Sequence, residues 1–194
     1  MTSVRRGAGP RKERPWGTIL IAAILLAIVV AFVGVVILDT RQSASAGPPE
    51  GTEEVDVGEA GQHTESNVDY DQTPPAGGDH NPVWQNCGVY SEPVRNETSV
   101  HSLEHGAVWI TYRPDLPDSQ VSQLEELARS ESYMLVSPME GLPSPIVASA
   151  WGNQLQVEDA SSEKLEQFKS AFLQGPQTPE PGAACSGGVG EPTG

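Results

Sequence analysis

AVWITY, residues 107–112, sets Val108, Ile110 and Tyr112 against Trp109 and Thr111. β-Branched and aromatic residues with a period of two predict a strand, and Pro114 ends it. Beyond it, residues 119–130 place Val121, Leu124, Leu127 and Ala128 on one helical face, with Asp118 available as N-cap. Tyr133 to Ser137 reads as a short strand. Ile146–Trp151 and Gln154–Glu158 flank Gly152-Asn153, a two-residue hairpin turn with glycine first. A second helix runs over 162–174, with Leu165, Phe168 and Phe172 inward and Gly175-Pro176 as cap and stop. Strand, helix, three-strand run and helix predict an α+β fold: a small mixed or antiparallel sheet with two helices on one face.

On the N-terminal side of that strand the chemistry gathers. Tyr70 to Trp84 is dense in proline and glycine and predicts a loop, with Pro74-Pro75 extended and Gly77-Gly78 turning. His80 sits in it, and His101-Ser-Leu-Glu104-His105-Gly106 follows. As a string H-x-x-E-H is the inverted zinc-protease signature. In a helical turn His101 and His105 stand on one face; in a strand they lie about 13 Å apart and cannot share an ion. Gly106, as a C′ residue, favours the turn. A peptidase would need a longer helix and a substrate cleft, for which a folded part of about a hundred residues has little room. The metal expectation is therefore a site of His80, His101 and His105, with Glu104 as ligand or support, suited to zinc or copper. The competing expectation is that the same side chains hold the loop through backbone hydrogen bonds. His63 is read as solvated, Trp84, Trp109 and Trp151 as packing, and Met134 and Met139 as core residues before copper donors.

Further out, Thr18 to Leu38 is 21 residues without a charge or proline. It spans about 31 Å as a helix, the thickness of a bilayer core. Arg5, Arg6, Arg11, Lys12 and Arg14 precede it and only Arg41 follows closely, so residues 1–17 are expected in the cytoplasm and the rest outside. The run is too long for the apolar part of a cleaved signal peptide. Residues 39–66 are predicted to be a flexible acidic stalk, 67–185 the extracytoplasmic α+β domain, and 186–194 a disordered tail. Residues 1–38 carry net +4 and residues 39–194 net −19, together the −15 of the whole chain. That acidity argues against nucleic acid and anionic lipid as partners of the outer domain. Cys87 and Cys185, one pair beyond the membrane, predict a disulfide.

Pro74-Pro75-x-x-Gly78-x-His80, Gly88-Val89-Tyr90, Pro93-Val94, Val100-His101-x-Leu103-Glu104-His105-Gly106, Tyr112-x-Pro114, Gly141-Leu142-Pro143, Ala150-Trp151-Gly152 and Pro179-Glu180-Pro181-Gly182 occur in this order. The chain from Tyr70 to Cys185 thereby resembles a bacterial, mainly actinobacterial, membrane-anchored family: the domain of unknown function numbered 3105. Gly77 departs from its pattern, where a serine is expected. The resemblance implies the architecture and the anchor, and carries no activity, substrate or cofactor. The expected function is a membrane-anchored extracytoplasmic domain binding a transition metal through its His/Glu cluster. The alternative is a non-catalytic envelope module that binds an unknown protein, the cluster being structural. With no nucleophile beside a base, an enzyme could only use metal-assisted hydrolysis.

Overall fold

The structure is a computed structural model that describes residues 16–44, 47–129 and 131–193. It has two compact units, Met1–Gln42 and Ser43–Gly194. All but the last two residues of helix α1 (Trp16–Ala44) fall in the first, and this helix carries the whole apolar run. Its described large apolar side chains, from Ile19 to Val33, are all exposed. Among the described residues no helix is long and apolar enough to cross a membrane. Those residues leave out the side chains of 16–18, 23 and 35–44, so the spanning expectation rests on the sequence of 18–38.

The second unit is a six-stranded mixed sheet. Its strands are β1 (Thr52–Glu54), β2 (Gly88–Val89), β3 (Val108–Tyr112), β4 (Met134–Pro138), β5 (Ile146–Ala150) and β6 (Asn153–Val157). They lie in the order β1-β6-β5-β3-β4-β2, with β3 and β2 parallel to β4 and the remaining pairs antiparallel. The AVWITY strand, β3, is thus central, and all five of its residues are buried.

The period of two in β3 separates two cores. Val108, Ile110 and Tyr112 join Met134, Val136, Ile146 and Ala148 in a cluster with Leu124, Leu165, Phe168 and Phe172. These last four belong to α3 (Asp118–Arg129) and α4 (Glu163–Phe172), the two helices expected on one face. Trp109, Leu135 and Val147 point the other way and join Val100, Leu103 and Trp151. That face is covered by a third helix, α2 (Asn96–Glu104), of which the sequence predicts only the last turn. A helix with one wet side shows an apolar stripe; α2 has eight buried residues, and six of them are polar or charged. With no wet side it has no stripe to read. The polar atoms are satisfied instead: Thr98 Oγ1 donates to Gln85 Oε1 at 2.9 Å and Ser102 Oγ to the Gln85 carbonyl at 2.7 Å.

Gly106 ends α2 as expected. It has φ +94°, with Gly106 N–H bonded to Leu103 O and Ala107 N–H to Ser102 O, both at 2.9 Å. These are the two bonds of a Schellman cap. A Cβ at Gly106 would also run into Gln174 Nε2 and lie 2.9 Å from Thr178 Cγ2. Gly106→Ala is therefore expected to destabilise the domain by at least about 1–2 kcal/mol from the left-handed backbone alone. An unchanged urea midpoint would defeat this reading.

Several boundaries differ from expectation. Within the 39–66 stretch read as a stalk, Thr52–Glu54 is an edge strand on β6, and Val55 N–H bonds Gly152 O at 2.9 Å. Val57 packs on the α2-side core. Two valines among acids, Val55 and Val57, are too few for a core of their own, but enough to add an edge to an existing sheet. The 186–194 tail is also bonded, with Asn86 N–H on Val189 O at 2.8 Å and Thr193 N–H on Val89 O at 2.7 Å. The hairpin turn falls at Trp151-Gly152, one residue early, with Gly152 at φ +68°. After α4 the left-handed residue is Gln174, φ 50°, and not Gly175.

Candidate metal centre

Three segments converge at the C-terminal end of α2. The helix supplies His101 and Glu104 and its C-cap residue is His105, at spacings of three and four that one helical face must bring together. The proline- and glycine-rich loop supplies His80. It is anchored by Asn81 N–H to Glu97 O at 3.1 Å. The former stalk supplies His63, which bridges His80 backbone to backbone: Thr64 N–H to His80 O at 2.7 Å and His80 N–H to Gln62 O at 3.0 Å. The sequence reading missed His63 because its context is polar and glycine-rich; no local signal marks it. Gly77 has its reason here: a Cβ would lie 2.8 Å from Val57 Cβ, so the missing side chain lets the strand approach the loop.

The donor atoms of His63, His80, His101 and Glu104 lie within 4.8 Å of one another. Three of the four residues are buried, and His63 opens to solvent. The rings of His63 and His101 stack at 5.0 Å, and His80 stands edge-on to both at 4.8 and 4.9 Å. Two imidazoles of this group are oriented by main-chain carbonyls. His80 Nδ1 donates to Gly78 O at 2.7 Å, and His101 Nδ1 donates to Asn81 O at 2.6 Å. A carbonyl can only accept, so Nδ1 carries the hydrogen and Nε2 is left to face the cluster. Metal-binding histidines are held in this way. His80 Nε2 meets Glu104 Oε2 at 2.9 Å, and the other carboxylate oxygen accepts Gly61 N–H at 2.5 Å.

His105 sits beside the group. Its ring is edge-on to His101 at 4.5 Å, and its Nδ1 donates to Ala184 O at 2.7 Å. Its Nε2 faces Glu180 Oε2 at 3.7 Å, apart from the four converging donors. Of the four residues expected at the site, His80, His101 and Glu104 are brought together, while His105 adjoins through its ring. Trp84 tilts against His101 and His105 at 5.8 and 5.2 Å, and Trp151 stands edge-on to His80 at 5.8 Å. Both tryptophans wall the cluster, where the sequence predicted only packing. Met134 and Met139 are buried in the two cores, as packing residues.

Burial pushes the His101 imidazole down to about 4. The hydrogen bond to the Asn81 carbonyl opposes this, and the neighbouring His105, His80 and His63 add to it. Above about pH 6.5, folded and unfolded chains are both neutral at this residue, so its contribution is complete. Between about 6.5 and 4 the unfolded chain takes up a proton that the folded one refuses, and stability falls as pH falls. Metal-free protein is therefore expected to show a lower urea midpoint at pH 5 than at pH 7, by a larger margin than His101→Gln does. Equal margins would remove His101 as the cause.

Cys87 and Cys185 form a disulfide, with Cα atoms 5.3 Å apart and a sequence separation of 98. It holds the segment that carries Ala184 and Glu180 against α2, where Glu180 N–H bonds Glu104 O at 3.0 Å.

Fold and site define a class: a mixed α+β domain, closed by one disulfide, around a buried histidine–carboxylate cluster. Residues 62–187 match the family described as protein of unknown function (DUF3105), and the chain belongs to that family. No curated protein and no solved structure matches it.

Proposed function

We propose that this protein is a membrane-anchored extracytoplasmic domain that binds Zn(II) or Cu(II) through His63, His80, His101 and Glu104. The observation that carries the reading is the convergence of three imidazoles and one carboxylate within 4.8 Å. Two of the rings are held by main-chain carbonyls in the tautomer that presents Nε2. Nitrogen and carboxylate donors without sulfur suit Zn(II) and Cu(II) better than Cu(I). Tetrahedral bonds of about 2.1 Å put ligand atoms about 3.4 Å apart, so donors within 4.8 Å need to draw in by at most about 1.4 Å. The anchor is supported by the apolar 18–38 run, by the basic residues before it and by the disulfide, which belongs to an oxidising compartment.

The test is the metal content of residues 43–194, purified from an oxidising compartment without an affinity tag. One Zn or Cu per chain is expected, with melting raised when either metal is restored to stripped protein. No retained metal and unchanged melting would sink the proposal. The second reading, an envelope protein-interaction module with a structural cluster, is favoured by the 2.9 Å His80 Nε2–Glu104 Oε2 contact, which a second ring proton turns into an ion pair that ties loop to helix without any metal. It predicts no metal and a stability loss in His80→Ala.

A further inference from the structure

A buried site needs a way in. His63 is 40% exposed, but the other donors lie beneath it. Edge-on to His101 stands His105, with its side chain 5% exposed and its Nδ1 committed to Ala184 O. Its Nε2 makes no hydrogen bond among the described residues. The nearest charged group is Glu180, which is 52% exposed at 3.7 Å. Glu180 cannot drift far in backbone, because its N–H bonds Glu104 O at 3.0 Å and the disulfide holds Cys185.

We propose that His105 Nε2 and the Glu180 carboxylate form a second, outward-facing cation position, where an incoming Zn(II) or Cu(II) is captured before passing to the buried donors. The inference rests on the metal reading above. The exposed carboxylate lies in a chain part of net charge −19, whose field draws cations. The imidazole supplies the first inner ligand. From there the ion has one ring to pass, since His105 and His101 are 4.5 Å apart between ring centres. Each step exchanges one nitrogen or oxygen ligand for another, with no change of oxidation state. His105 and Glu180 thus set the rate of loading and not the capacity.

The probe is Cu(II), because it outranks Zn(II) at nitrogen–oxygen sites and so reports on a site built for either. Full-length protein in detergent is mixed with Cu(II) in a stopped-flow instrument, and quenching of tryptophan emission is followed; Trp84 and Trp151 adjoin the cluster. Glu180→Gln and His105→Gln are expected to slow association by about tenfold or more, as lost steering and capture do. Copper per chain at saturation should stay at the wild-type ratio. Dissociation into a strong chelator should slow by a similar factor, since the route out is the route in. Unchanged rates in both variants would overturn the inference while leaving the buried site intact. Loss of stoichiometric copper in His105→Gln would also overturn it, making His105 a ligand of the inner set. No copper uptake by wild-type protein would remove both this inference and the metal reading beneath it.

Discussion

Glu104→Gln should keep the fold and lose tight metal binding. The glutamine amide has the shape of the carboxylate it replaces. Its oxygen can accept Gly61 N–H, and its NH₂ can donate to His80 Nε2, so the bonds now at 2.5 and 2.9 Å both retain partners. Metal-free Glu104→Gln is accordingly expected to unfold within about 1 kcal/mol of wild type. What disappears is the one negative charge in the donor set, at a buried position where a divalent cation needs it most. Changes to groups that merely support ligands cost about 10–100-fold in affinity, so loss of the carboxylate itself should cost at least about 100-fold. A competition titration of stripped protein against a chelator of known affinity measures this. Affinity within a few-fold of wild type would show that Glu104 is not a ligand. Glu104→Ala is the contrasting case: it strands a buried imidazole and a main-chain N–H, at about 1–3 kcal/mol for each.

The largest stability effect should follow removal of the disulfide. Replacing Cys87 and Cys185 together by serine frees a loop with a sequence separation of 98. On the chain-entropy estimate this costs about 4–5 kcal/mol. Domains of this size are stable by only about 5–15 kcal/mol, so the double variant should approach the edge of folding at 37 °C. The bridge also holds the segment behind His105. Cys87 N–H bonds Cys185 O at 2.7 Å, and Ala184 O orients the imidazole. Urea unfolding of the double variant beside wild type measures the effect. A loss below about 1 kcal/mol would mean that the hydrogen bonds of 186–193 hold this segment without the bridge.

How much was legible from sequence depends on where each element meets water. The helices α3 and α4 each have a wet side and a dry one, so Leu124 and Ala128, and Leu165, Phe168 and Phe172, declare themselves by spacing. Helix α2 is dry all round and almost entirely polar, so its partners in the fold, and not its own pattern, make it a helix. The same holds for β1. Thr52, Glu53 and Glu54 have no strand signature, and they extend because the edge of β6 offers unpaired hydrogen-bonding groups.

For the site, the chain itself determines that His101, Glu104 and His105 share a helical face once Gly106 caps the turn, because 3.6 residues per turn leave no other arrangement. Local chemistry likewise determined the central strand, the two amphipathic helices and the pairing of the only two cysteines. What only the tertiary structure decided is which imidazoles meet. His63 lies 41 residues before Glu104, and its stretch alone looks like a solvated linker. It reaches the cluster because β1 zips onto the sheet and Gly77 lets Val57 close on the loop. His105 turns to Glu180 because the disulfide brings the end of the chain back to the helix. Pairing across such sequence distances is set by the packing of whole segments, and no local pattern encodes it.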